Sequence, residues 1–433
     1  MPAKTRKRSA AKRGVADVGV TGSNQVVNAR ATRSTRVQQP SRNARGGPNW
    51  LLTGGAGILL VVLVILAALL WFRPNDNINP VTPTPGPASP LGRISFLRGN
   101  ADGTRDVYVV DPDGSRQERV TNGIFIEGLT SWSPDGRYIV AQISQEGIST
   151  IARITVGTDN KGGEVAALTS DMMVDGTDKK ADSALPAWSP DGSLIAFQSK
   201  KEGGNFQVYV MDRDGNNKRR ISSGQAVAIQ PSWSPDGKSI TYVGGGKVDM
   251  GEPKELYTVG LEGGTPKQIT TGGKDISKPT WSPDGKYILY LDNLSDRFSD
   301  IMIMNADGSS PRKLADGVRG SSPQFNPAGD KLLYYFVSMP LMTTPSGGAS
   351  AVVGSDIFTV PTAGGQPANL TLNSDDDYQP AWSPDGKMVT WASVVQGGAG
   401  HKIVVAGEDG SGVRVLSQGQ GDDYQPQWTA PPR

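Results

Sequence analysis

The chain contains no cysteine. That excludes a disulfide framework, thiolate metal sites and a cysteine nucleophile together, and leaves the compartment open. Histidine is almost missing too: His401 is the only one, at the start of an expected strand, where it reads as structural. No G-x-S-x-G elbow, H-E-x-x-H pair, phosphate-cradling loop or dinucleotide fingerprint occurs. These absences predict that the chain is not an enzyme and uses no organic cofactor. Acids are scarce in residues 1–49, where Asp17 stands alone against eleven Lys and Arg. From Leu51 to Phe72 charge is absent altogether.

Those last two gaps lie side by side, and together they set an expected topology. The 22 uncharged residues 51–72 reach roughly 33 Å as a helix, against a hydrocarbon core about 30 Å thick. Trp50, Trp71 and Phe72 flank the run, where amphipathic rings favour the interface. A cleavable signal peptide would be shorter, nearer the start and followed by small residues. The run therefore predicts one transmembrane helix over 50–73. The basic excess before it places the N-terminus in the cytoplasm and the bulk outside. The tail 1–49 has too few large apolar residues to fold and is expected to be disordered, with anionic lipid headgroups as a partner for its bases. It lacks the interleaved aromatics of a nucleic-acid surface. Residues 74–91 hold enough proline to form an extended stalk.

What is abundant is glycine, 55 residues, and proline, 31. Both punctuate short strands. From residue 92 a unit recurs around W-S-P-D-G: Trp132–Gly136, Trp188–Gly192, Trp233–Gly237, Trp281–Gly285 and Trp382–Gly386. A degenerate copy stands at Phe325–Gly329 and a truncated one ends at Trp428. The spacing of 44 to 57 residues suits a four-stranded propeller blade. Each Pro-Asp-Gly supplies a tight hairpin, and runs such as Leu194–Phe197 and Val208–Met211 supply β-branched and aromatic strands.

The repeat resembles the WD-repeat-like propeller units of the TolB family, whose consensus centres on W-S-P-D-G. The resemblance covers residues 92–433 and implies an all-β propeller. It is not to TolB itself, since a basic tail and an anchor stand where TolB has a signal peptide and a small α/β domain. Three strands before the first Trp (94–97, 107–110, 119–121) and one after the last full blade (424–428) add up to one shared blade. The expected fold is thus seven blades with the two ends clasped in one; six blades is the alternative if the degenerate copy is misread.

One pattern goes beyond turn chemistry. Asp376-Asp377-Tyr378-Gln-Pro380 recurs as Asp422-Asp423-Tyr424-Gln-Pro426. Asp182 and Asp275 stand at the same four-residue offset from a proline, and Arg319 takes the place in another copy. These connections border one mouth of a propeller channel, so the side chains are expected to converge there. The mouth would receive a basic segment or a cation, with Asp376 and Asp422 as candidate Ca²⁺ ligands. Insertions at 170–184, 244–254 and 338–354 are expected on the same face, the last carrying Ser338-Met-Pro-Leu-Met342. The function expected is a cell-envelope scaffold that binds a protein or peptide. The alternatives are an enzyme acting on envelope glycans or peptides, and a ligand sensor.

Overall fold

The computed structural model describes residues 92–429, except 129–130, 158–162, 247–252, 296–297, 320–321, 338–353, 373–374 and 395–399. The tail, the apolar run 51–72, the stalk and the Met-rich loop at 338–342 lie outside the described residues. Among those described, no helix is long and apolar enough to cross a membrane.

Seven four-stranded antiparallel sheets form the blades. Blade 1 is the shared one. It joins Ile94–Gly99, Arg105–Val110 and Glu118–Arg119 to Asp422–Trp428, which forms the innermost strand. Blades 2 to 7 follow in chain order and are continuous. The six-bladed alternative falls because the degenerate copy builds a complete sheet from Gln324–Phe325, Lys331–Val337, Ser355–Pro361 and Ala368–Asn369.

The repeat motif explains how each blade turns its first corner. In blade 3 the Ser189 hydroxyl donates to Asp191 at 2.5 Å and accepts from the Leu194 amide at 2.9 Å, while Gly192 adopts φ 71°. Ser133, Ser234, Ser282 and Ser383 pair with Asp135, Asp236, Asp284 and Asp385 in the same way. The degenerate turn in blade 6 keeps the geometry by other means. There Asn326 accepts from the Asp330 and Lys331 amides and donates to the Asp330 carboxylate at 2.7 Å. One carboxamide thus does the work of the Ser–Asp pair.

The tryptophans tie blades together. Trp132, Trp233 and Trp281 donate their indole N–H to Ser95, Ala187 and Thr241 of the preceding blade. Seven hydrophobic clusters occur among the described residues, and each spans two neighbouring blades. The one across the closure packs Ile94, Phe96 and Val110 of blade 1 on Ile403, Val405 and Leu416 of blade 7. The ring therefore closes through the same kind of apolar contact that joins its other blades.

Outer strands are shorter than the sequence suggests, and side chains are the cause. The first outer strand was expected to reach Thr121 but ends at Arg119, and those of blades 3, 4 and 6 end at Arg220, Gln268 and Asn369. Just beyond each end a hydroxyl replaces the ladder: Ser222, Thr270 and Thr371 accept from the amides of Val208, Leu256 and Ile357. Thr121, Thr169 and Ser417 do the same in blades 1, 2 and 7. Blade 5 has Ala315 at this position, and its outer strand runs on through Arg312–Val318.

Candidate functional site

Adjacent residues in a strand point to opposite faces, and this separates the paired acids. Asp422 begins the inner strand of blade 1 and accepts from the backbone N–H of His401, in blade 7, at 2.7 Å. Asp376 accepts from the Ser355 amide of blade 6 at 3.1 Å, and Asp182 from Ser149 of blade 2 at 3.5 Å. Asp275 holds the Lys254 ammonium of blade 4 at 2.5 Å. Each of these four carboxylates thus binds the start of the third strand in the blade before it.

The second acids turn inward. Asp423 is fully buried and takes two bonds from Arg98, at 2.6 and 2.8 Å. Asp377 is equally buried and accepts from the Trp391 indole at 2.9 Å. Arg319 is exposed just past the outer strand of blade 5. No group of three or more His, Asp or Glu that could hold a metal occurs among the described residues.

At the mouth, Asp422, Tyr378 and Tyr424 come together with Tyr335 and His401 around a cavity of about 300 Å³. Asp182, Asp275 and Arg319 do not line it. His401 Nδ1 lies 2.6 Å from Asp422 Oδ1, and its ring meets Tyr378 edge-on at 5.6 Å. Tyr378 meets Tyr335 in the same manner at 5.8 Å. The Arg105 guanidinium sits 5.5 Å above the Tyr424 ring. Burial raises the pKa of Tyr335 and Tyr424, so both present neutral hydroxyls. Asp422 is held below the usual carboxylate range: burial opposes its charge, and the bonds from His401 outweigh it. Aromatic faces beside a polar His–Asp pair suit a ligand with both apolar and hydrogen-bonding parts.

Below the mouth, five of the seven inner strands are kinked just before a proline. Leu185, Gln230, Lys278, Gln379 and Gln425 all take φ of 51° to 54°, a left-handed conformation that costs a non-glycine residue of order 1 kcal/mol or more. The inner-strand pairing shifts register at each of these places. Neighbouring side chains compensate. Gln230 accepts from the Lys278 amide at 2.7 Å, Gln379 from Gln425 at 2.9 Å, and Gln198 from Gln230 at 3.0 Å. Kinks and prolines from different blades line two axial cavities, of about 250 and 310 Å³, and Lys278 borders both. The inner lining went unrecognised in the sequence, and His401 read there as structural. The available signal was a glutamine directly before the proline in three of the copies, at positions 230, 379 and 425.

Residues 164–340 match the model described as the TolB beta propeller domain. The chain carries a TolB-like propeller. The "Protein TolB homolog" of Chlorobium chlorochromatii is 25% identical over 161 residues, 36% of this chain and 32% of that protein. "Uncharacterized peptidase YuxL" of Bacillus subtilis is 32% identical over 94 residues, 21% of this chain and 13% of that one. This chain therefore spans a third or less of these curated relatives. An oligogalacturonate lyase from Vibrio parahaemolyticus superposes with a TM-score of 0.51 at 13% identity, covering 70% of this chain and 88% of the lyase. That likeness shows the fold alone. The expectation that the chain is not an enzyme does not stand: one relative of this TolB-like propeller is described as a peptidase, and a lyase carries the fold along most of its length.

Proposed function

We propose that this TolB-like propeller is a cell-envelope binding module that captures a protein or peptide segment at its channel mouth. The reading rests on the cavity of about 300 Å³ rimmed by Tyr335, Tyr378 and Tyr424 beside the His401–Asp422 pair. Tyrosines offer large rigid contact area at low entropic cost, with a polar tip to fix orientation. In this proposal residues 50–73 form a single transmembrane helix, the tail stays cytoplasmic beside anionic headgroups, and the stalk holds the propeller on the outer side. The uncharged run beside eleven bases supports that topology.

A cross-linking pull-down with the full chain tests the binding role. Tyr378→Ala should lose partners that the unaltered chain retains; an identical set of captured proteins would end the proposal. For the topology, protease added to intact cells should digest the propeller and spare a tag at Met1, and the reverse pattern refutes it.

The His401–Asp422 pair favours a second reading, catalysis at the same pocket. A carboxylate 2.6 Å from Nδ1 fixes the imidazole so that Nε2 can take or give a proton. Turnover of oligogalacturonate or peptide substrates that disappears in His401→Ala would support this reading. No turnover by the unaltered chain would remove it.

A further inference from the structure

We infer that the channel mouth is a receptor for an arginine side chain of the captured segment, with Tyr378 and Tyr424 as aromatic walls and Asp422 as counter-charge. The inference deepens the binding role proposed above and rests on the mouth being a peptide-binding surface. Three observations carry it.

The first is charge. Among the described residues that line the cavity, Asp422 is the one carboxylate, and none is a Lys or Arg. Two cations close by are engaged elsewhere. Arg105 donates to the Ile126 carbonyl at 2.8 Å, and Lys402 donates to the Gly419 and Gly421 carbonyls at 2.8 and 3.1 Å. His401 donates to Asp422 from its backbone N–H and from its ring, and both bonds fall on Oδ1. Oδ2 takes no hydrogen bond among the described residues, which leaves it to accept from a ligand.

The second is the set of rings. Tyr378 and Tyr424 are half-buried, so part of each stays accessible. Tyr378 stands at 80° to Tyr335 and at 65° to His401, so successive walls of the cavity meet nearly at right angles. The face of such a ring attracts a cation through its quadrupole, a guanidinium more often than an ammonium. Tyr424 already does this within the chain, with the Arg105 guanidinium 5.5 Å from its ring centre.

The third is an internal precedent. One residue along the same strand, on its opposite face, Asp423 holds a guanidinium in this way. Arg98 bonds it at 2.6 and 2.8 Å and lies 4.5 Å from the Tyr108 ring centre and 5.4 Å from that of Phe96. The mouth sets the same kinds of group, a carboxylate and aromatic rings, around a space of about 300 Å³. That is the lower end of the roughly 300–1,000 Å³ typical of ligand pockets, and it suits one long side chain. Arginine fits better than lysine, because a planar fork can lie along a ring while it donates to a carboxylate.

The test is isothermal titration of the full chain with three capped pentapeptides, Gly-Ser-X-Ser-Gly, in which X is arginine, its neutral isostere citrulline, or lysine. The arginine peptide should bind about tenfold more tightly than the citrulline peptide, as a charge-assisted bond would give. The lysine peptide should fall between them. Asp422→Asn should erase the preference for arginine over citrulline. Tyr378→Leu should weaken the arginine peptide about fivefold, the size of one cation–ring contact at a partly open site. Thermal melting of each variant shows whether it is folded, and Tyr378→Leu carries the comparison if Asp422→Asn is not. An unaltered chain without preference for arginine over citrulline overturns the inference. So does an Asp422→Asn variant that retains the preference, a Tyr378→Leu variant with undiminished affinity, a lysine peptide that binds as tightly as the arginine peptide, or trigalacturonate binding in place of all three. Binding of none of the peptides overturns it as well, and the pull-down with Tyr378→Ala then separates the two claims. Partners lost in that variant would preserve the mouth as a binding surface, and an identical captured set would dismiss both.

Discussion

Removing the Asp423 carboxylate should unfasten the ring. Asp423 and Arg98 are register partners between the last described strand and the first, so their bond joins the two ends of the propeller. The pair is bidentate at 2.6 and 2.8 Å, and neither side chain reaches solvent appreciably. Arg98 is further fixed by the Gln418 carbonyl at 2.8 Å and lies 4.5 Å from the Tyr108 ring centre. In Asp423→Ala this guanidinium would remain buried without its counter-ion, which typically costs about 3–5 kcal/mol. A domain of this size loses roughly 2 °C of melting temperature per kcal/mol, so Tm should fall by roughly 6–10 °C. Asp377→Ala is the internal control. It occupies the same position in blade 7 and accepts from the Trp391 indole but does not join the two ends of the chain, so its loss should leave the clasp intact. Replacing both members by apolar side chains, Arg98→Met with Asp423→Leu, should recover much of the stability, because the buried guanidinium is then gone and Lys402, 3.8 Å from Asp423, keeps the Gly419 and Gly421 carbonyls. The measurement is thermal unfolding of the full chain followed by circular dichroism. If Asp423→Ala melts within about 1 °C of the unaltered chain, the clasp carries no ion-pair energy and the reasoning fails. If the double variant is as unstable as Asp423→Ala, the loss comes from shape and not from stranded charge.

Two further outcomes are expected from the turns. The Asp284 pKa is pulled down to about 2 by the Lys286 ammonium first and the Ser282 hydroxyl second. Its folded value therefore lies below the unfolded one of about 4, so the carboxylate stabilises the fold above pH 4 and that contribution is lost as pH falls from about 4 to about 2. Melting of Asp284→Asn against pH should show its largest deficit at neutral pH and none near pH 2; a constant deficit would mean that charge is irrelevant there. In blade 6, Asn326→Ala removes an amide that serves two backbone N–H groups and one carboxylate, and should cost about 1–3 kcal/mol in chemical denaturation. Asn326→Ser, which restores the hydroxyl but not the absent partner acid at Ala328, should recover only part; full recovery would show that the carboxamide is dispensable.

The blade count and the clasp were legible because both follow from spacing. A motif every 44 to 57 residues fixes the number of corners, and three strands at one end with one at the other leave a single way to finish the ring. The direction of side chains was harder to read, because a one-residue step reverses it. Asp422 and Asp423 look alike in sequence, yet the first bonds the neighbouring blade at the rim and the second is buried against Arg98. A shared offset from a proline placed Asp182, Asp275, Asp376 and Asp422 at the same height, but it could not reveal that each has a donor waiting on the preceding blade. The channel was hidden for a related reason. Residues before proline usually avoid helical backbone and read as plain linkers. Here the left-handed kink at Gln230, Lys278, Gln379 and Gln425 turns such linkers into the lining of the axis. That kink is sustained by bonds from other blades, a non-local cause that no window of the sequence contains. Carboxylates at the rim anchor one blade to the next, each on the start of the third strand in the blade before it.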